Sequence, residues 1–173
     1  MDCECLLTTN ATATVRSWLD LAAENRGTDR FDLSYAVFRS ILEGKALTRD
    51  ELAGKSRLDR ADALDLIETM VGEGRLRLDE TGDRLIAAAG LSLAESRHTL
   101  IMYGRWYGTW CALDAVGIPA GLDADATVES ECLDSGEPVR IEITAGKIAS
   151  QSPHQLFISL VPASVATSVF DTL

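Results

Sequence analysis

Residues 59–90, DRADALDLIETMVGEGRLRLDETGDRLIAAAG, change their apolar period partway through, and that change decides the fold class. In the first half Ala63, Leu64, Ile67, Met70 and Val71 recur at helical spacing, giving one apolar stripe beside Asp62, Asp65 and Glu68. The second half alternates, turns at Glu80–Asp83 and alternates again, the pattern of a β-hairpin. A helix running straight into an antiparallel hairpin reads as α+β.

Working back from this stretch, TRDELAGKS (48–56) opens with Thr48 followed by Glu51, the spacing of a capping box, and ends at a glycine. LSYAVFRSILEGK (33–45) sets Leu33, Val37, Phe38, Ile41 and Leu42 on one face of another helix. Three helices and a hairpin, in that order, make residues 31–90 a winged-helix-like module. Ahead of it, residues 1–30 are a leader with a short amphipathic helix from Thr14 to about Asn25. The third helix of the module would enter the DNA groove in a nucleic-acid reader. Here it presents Asp59, Asp62, Asp65 and Glu68 against Arg60 alone, and the chain carries a net charge of −11. Phosphates would be repelled, so the module is expected to be a scaffold and nucleic acid is not an expected partner.

Residues 91–173 have a different texture. SRHTLIMYGRWYGTW (96–110) suits a strand or an irregular approach to a helix. CALDAV (111–116) is a short helix expected to stop at Gly117 and Pro119. ATVESEC (126–132) and VRIEIT (139–144) form a hairpin about LDSGEP, and QLFISLVP (155–162) reads as a strand buried on both faces. No apolar run approaches the roughly 20 residues of a membrane span. The N-terminus lacks the basic start and apolar stretch of a secretory signal, so the cytoplasm is the expected location and a membrane is not an expected partner. Four cysteines at irregular spacing fit reduced thiols better than a disulfide framework.

The chemistry-bearing residues are few. Cys111 sits where a helix begins, and the unpaired N–H groups there are expected to stabilise a thiolate and lower its pKa. Asp114, three residues on, shares its helix face and can move a proton for a group held by the sulfur. Taken by itself, the spacing is a weak signal that arises often by chance and favours a buried apolar filler. Cys132 ends a strand on the same face as Val128 and Ser130 and is expected to be a core thiol. Cys3 and Cys5 form a Cys-x-Cys pair that can grip a soft cation, or are incidental cysteines of the leader. His98 and His154 have no ligand spacing.

YGTWCALDAVGIPAGLDADATVESECLDSGEPVRIEI (107–143), with LFISLVP further on, resembles the core of organomercurial (alkylmercury) lyases. The likeness lies in the Trp-Cys-Ala-x-Asp helix, the proline after it, the second cysteine ending the next strand, and the Gly-x-Pro-Val turn. It covers about residues 103–165 and implies an alkylmercury-lyase-like β core with short helices over 91–173.

The resemblance also implies protonolysis of a carbon–mercury bond. Cys111 matches the first catalytic cysteine, Asp114 the proton-relay aspartate, and Cys132 a structural cysteine. A small organometallic substrate is then the expected partner, with mercury as substrate and product and no cofactor required. A homodimer is left open. The family's second catalytic cysteine lies beyond the SLVP strand, whereas no cysteine follows Cys132 in this sequence. Cys3 or Cys5, from the same chain or a partner subunit, is the candidate substitute, so the expected metal-binding thiols are Cys111, Cys3 and Cys5. Two alternatives stay beside this reading: a divergent member of the fold acting on another substrate in a biosynthetic pathway, and a non-catalytic soft-metal-binding or regulatory protein.

Overall fold

The computed structural model describes residues 26–158. The expected helix at 14–25 and the cysteines Cys3 and Cys5 lie outside these residues.

Helix α1 spans Asp29–Leu42, and its end is fixed by the Thr28 hydroxyl, which accepts the Phe31 N–H at 3.2 Å. A two-residue strand, β1 (Leu47–Thr48), leads into α2 (Arg49–Ala53). The capping box forms as the sequence predicts: Glu51 accepts from the Thr48 amide at 2.7 Å, and the Thr48 hydroxyl accepts from the Glu51 amide at 3.2 Å. Helix α3 (Arg60–Gly72) starts at Asp59, whose carboxylate accepts the Asp62 N–H. The hairpin of β2 (Leu76–Leu78) and β3 (Arg84–Ala88) follows.

Strand β3 turns directly into β4 (Leu91–Ser92), which pairs with β6 (Arg105–Thr109). Strand β5 (His98–Met102) pairs with both β6 and β7 (Ala126–Glu131), and β8 (Pro138–Thr144) and β9 (Lys147–Ser152) complete the sheet. The order is β1-β3-β4-β6-β5-β7-β8-β9, with β2 on β3, antiparallel throughout. One sheet therefore runs across residue 90. Helix α4 (Ala112–Gly121) connects β6 to β7 and lies against β5, β6 and β7, while α1 lies against β3 and β4.

Alternation explains which face is covered. Tyr107, Leu100, Val128 and Ile141 are register partners across four strands, and all four are buried. Each such side chain removed from water contributes roughly 1.5–3 kcal/mol. Helix α1 adds Leu33, Val37 and Ile41 to the same core, and α3 adds Ala63, Ile67 and Met70. Tyr107 buries its ring there and donates its hydroxyl to the Leu42 carbonyl at 2.8 Å, tying the centre of the sheet to the end of α1.

One expectation is sharpened and two are corrected. Within residues 96–110 the strand alternative holds, as two strands: β5 and β6 form a hairpin joined by Tyr103 and Gly104, both at positive φ, the conformation of a tight two-residue turn. Helix α4 does not stop at Gly117 or Pro119 but runs to Gly121, with Pro119 buried inside it. A proline forfeits one intrahelical bond. So near the helix end, burial of Ala115 and Pro119, with Val116 and Ile118 packed beside the core, outweighs that loss. Finally, residues 155–158 are not strand: Phe157 and Ile158 are exposed, and the last strand among the described residues is β9, upstream. The remainder of QLFISLVP lies outside the described residues.

Candidate active site

Strand β6 delivers the chain to the start of α4 through Thr109, Trp110 and Cys111, and each step is held. The Thr109 amide donates to Ser96 Oγ at 3.0 Å, and its hydroxyl lies 3.2 Å from the Cys111 carbonyl. The Trp110 amide donates to the Gly90 carbonyl at 3.0 Å. Cys111 is the N-cap of α4, with extended backbone at φ −150° and ψ 170°. Its carbonyl accepts the Ala115 amide at 3.1 Å, so the helix begins at this residue.

The sulfur meets Asp114 twice. The thiol donates to Asp114 Oδ2 at 3.0 Å, and the same sulfur accepts the Asp114 backbone N–H at 3.4 Å. Sequence reasoning placed these residues on one face; the structure brings them into direct contact. On the far side of the carboxyl lies the two-residue turn between β3 and β4, Ala89 and Gly90, with φ of 50° and 86°. A β-carbon at Gly90 would stand 2.5 Å from Asp114 Oδ1, so the carboxyl packs against bare backbone.

The expected lowering of the Cys111 pKa is overturned. The thiol is pushed up to about 12, first by burial and then by the negative charge and hydrogen bond of Asp114. The helix-end N–H groups pull the other way and lose, because a half-buried sulfur beside a carboxylate is poorly placed to become an anion. Asp114 is itself raised by burial, an effect its hydrogen bond with Cys111 offsets in part. The resting pair therefore keeps the sulfur protonated, with the carboxyl as its immediate proton acceptor.

The other candidate residues fall elsewhere. Cys132 is not a core thiol: it lies half-exposed just past the end of β7, where the hairpin leaves the covered part of the sheet. Its pKa is lowered by the Ser135 hydroxyl and then by the amides of Ser135 and Asp134. His98, assigned no role from sequence, places Nδ1 2.7 Å from Ser130 Oγ; its pKa is lowered by burial and then by Arg97. Among the described residues no three His, Cys, Asp or Glu side chains converge on a common metal position. Sequence reasoning missed Gly90 and Ser96, the residues that brace the site. An Ala-Gly pair between two short apolar runs was the available signal for the first; nothing local marks the second.

Comparison with known proteins bears on the family and the fold. Residues 91–172 match the family model described as MerB, alkylmercury lyase. The chain is 25% identical over 137 residues to an alkylmercury lyase of Bacillus cereus, covering 77% of this chain and 61% of that one. It is 25% identical over 149 residues to one of Pseudomonas putida, covering 86% and 68%. It is 30% identical over 136 residues to one of Streptomyces lividans, covering 76% and 61%. The chain thus spans about 61% of the length of the first and third of these relatives. In fold it is similar to the crystal structure of the mercury-bound form of MerB2, with TM-score 0.71, 22% identity, and coverage of 89% of this chain and 77% of that one. Among the described residues, no helix is long and apolar enough to cross a membrane.

Proposed function

From the match of residues 91–172 to the alkylmercury lyase family model, we propose that the protein captures an organomercurial, R–Hg⁺, on Cys111 and cleaves its carbon–mercury bond by protonolysis. The observation that carries the reading is the 3.0 Å contact between Cys111 Sγ and Asp114 Oδ2.

The proton inventory closes with these two residues. As the soft sulfur bonds to mercury, coordination displaces the thiol proton, because a metal-bound thiol is deprotonated outright. The proton passes to the Asp114 carboxylate, its existing hydrogen-bond partner. Asp114 then delivers that proton to the metal-bound carbon. The electron pair of the carbon–mercury bond becomes the new carbon–hydrogen bond, and R–H leaves. Mercury stays Hg(II) throughout, so no electron donor enters, and the Cys111 thiolate holds the product until external thiols remove it. The high thiol pKa fits this role: the sulfur stores the proton that the reaction consumes and yields it to Asp114 only when a metal binds.

A second sulfur donor would push more electron density toward the departing carbon. Cys3 or Cys5 is our candidate for it, from the same chain or a partner subunit. We read residues 31–90, which hold most of α1 together with α2, α3, β2 and β3, as a winged-helix-like scaffold for the 91–173 core. The cytoplasm, where thiols stay reduced, is the compartment in which this chemistry works.

Incubating the full chain with phenylmercuric acetate and excess small thiol should release benzene faster than thiol alone. Release at the thiol-only rate would overturn the reading. One observation favours a second one: among the described residues Cys111 and Asp114 are joined by no third His, Cys, Asp or Glu at a common metal position, an arrangement that fits soft-metal binding without turnover. Stoichiometric retention of the intact mercurial in the same assay would select it.

A further inference from the structure

The geometry points to Gly90 as the positioning residue for the Asp114 carboxyl: the missing side chain at this turn is what lets the carboxyl sit against Cys111. Gly90 lies just ahead of the segment that matches the family model, on the opposite side of the site from α4.

Three observations converge. A β-carbon on Gly90 would lie 2.5 Å from Asp114 Oδ1, 2.6 Å from Cγ and 3.0 Å from Cβ, so the whole carboxyl rests on the turn. The same residue's carbonyl accepts the Trp110 amide at 3.0 Å, fixing the strand one residue before Cys111. The turn is itself rigidly placed, since Ala88 and Leu91 on either side are register partners and fully buried. The β3–β4 turn therefore acts as a wall. It closes the side of Asp114 that faces away from the sulfur and leaves Oδ2 directed at the thiol. A side chain there would force something to shift, and the Asp114 carboxyl, which supplies the nearest atoms, would be turned off Cys111.

The functional consequence rests on the reading of Asp114 as proton carrier; the wall itself does not, and the test keeps them apart. Wild type, Gly90→Ala, Asp114→Ala and the double variant are compared by thermal unfolding. If the wall contacts the carboxyl, the loss of Tm from Gly90→Ala shrinks when Asp114 is already Ala. An equal loss in both backgrounds, or a double variant that fails to fold along with Gly90→Ala, overturns the proposal, because the cost then comes from the positive φ alone. In a second arm, alkylation of Cys111 by iodoacetamide at fixed pH is read by peptide mass spectrometry. Gly90→Ala should accelerate it to the Asp114→Asn level, with no further gain in the Gly90→Ala, Asp114→Asn double variant; additive gains overturn the proposal. The third arm measures benzene release, which Gly90→Ala should lower about as far as Asp114→Asn does, with stoichiometric mercurial capture kept. A wild-type protein that releases no benzene defeats the lyase reading, while the first two arms still decide the role of Gly90.

Discussion

Asp114 touches the Cys111 sulfur from two directions, accepting the thiol proton through Oδ2 at 3.0 Å and donating its own amide to the sulfur at 3.4 Å. The two contacts have opposite effects. The amide favours an anionic sulfur; the carboxylate favours a protonated one, and with burial it prevails. A nucleophile activated in advance would sit the other way round. This pair is arranged to hold one proton between two atoms until something else binds the sulfur.

The two residues should therefore separate under mutation. Cys111→Ser replaces a soft donor with a hard, almost un-ionised hydroxyl and should lose both stoichiometric capture of phenylmercury and benzene release. Asp114→Asn keeps the sulfur but removes the proposed proton carrier, so capture should persist while release slows by about 10²-fold or more, the usual contribution of a positioned acid–base group. Capture is measured by mass spectrometry of the adduct, and release by gas chromatography. Retention of wild-type release in both variants would place the chemistry elsewhere.

The raised thiol pKa also predicts a stability profile. A group that holds its proton more tightly when folded contributes stability that is fully present below its unfolded pKa and is lost as pH rises through the folded value. For Cys111 that window runs from the ordinary thiol value of 9.0 up to about 12. Urea unfolding at pH 8, 9, 10 and 11 should show wild type losing stability faster than Cys111→Ser, by at most about 1.4 kcal/mol per pH unit. Parallel curves would mean that the thiol is not restrained. The comparison with the variant is needed because Tyr107, also raised by burial, contributes a pH dependence of the same sign.

How much of this was legible in the sequence depended on whether the signal was local. The helices at 29–42 and 60–72, the capping box at Thr48 and the hairpins about Glu80–Asp83 and LDSGEP all follow from periodicity or turn chemistry within a dozen residues. So does the Cys111–Asp114 pairing, a consequence of helical spacing. What escaped depends on tertiary context. Pro119 continues its helix because the sheet beneath rewards burial, and Cys132 is half-exposed because the covered face ends before the hairpin tip. The direction of the Cys111 shift was misjudged for the same reason: the helix-end effect is visible in sequence, whereas desolvation is set by the packing around it.

Tyr107 offers a test of how the helical and sheet parts hold together. Its hydroxyl spans to the Leu42 carbonyl at the C-terminal end of α1, 65 residues away in sequence. Tyr107→Phe keeps the buried ring and leaves that carbonyl without its donor, which should cost about 1–3 kcal/mol. The loss should appear in the urea midpoint with an unchanged slope, since the surface exposed on unfolding is nearly the same. A midpoint shift under a few tenths of a kcal/mol would show that the carbonyl is satisfied in another way.

Ala89 is the residue where a change should improve the protein. It is exposed, sits at φ 50° in the turn joining β3 to β4, and precedes Gly90 at φ 86°. That two-residue conformation suits Asn-Gly, because asparagine enters the left-handed region at lower cost than alanine. Alanine pays for its β-carbon there, by roughly 1 kcal/mol. Ala89→Asn should raise stability by about 0.5–1 kcal/mol in urea unfolding. Unlike Gly90→Ala, it should leave Cys111 alkylation and mercurial capture at wild-type rates, since its side chain points into solvent rather than toward Asp114. A stabilised variant with altered Cys111 reactivity would show that the whole turn, and not Gly90 alone, sets the position of the carboxyl.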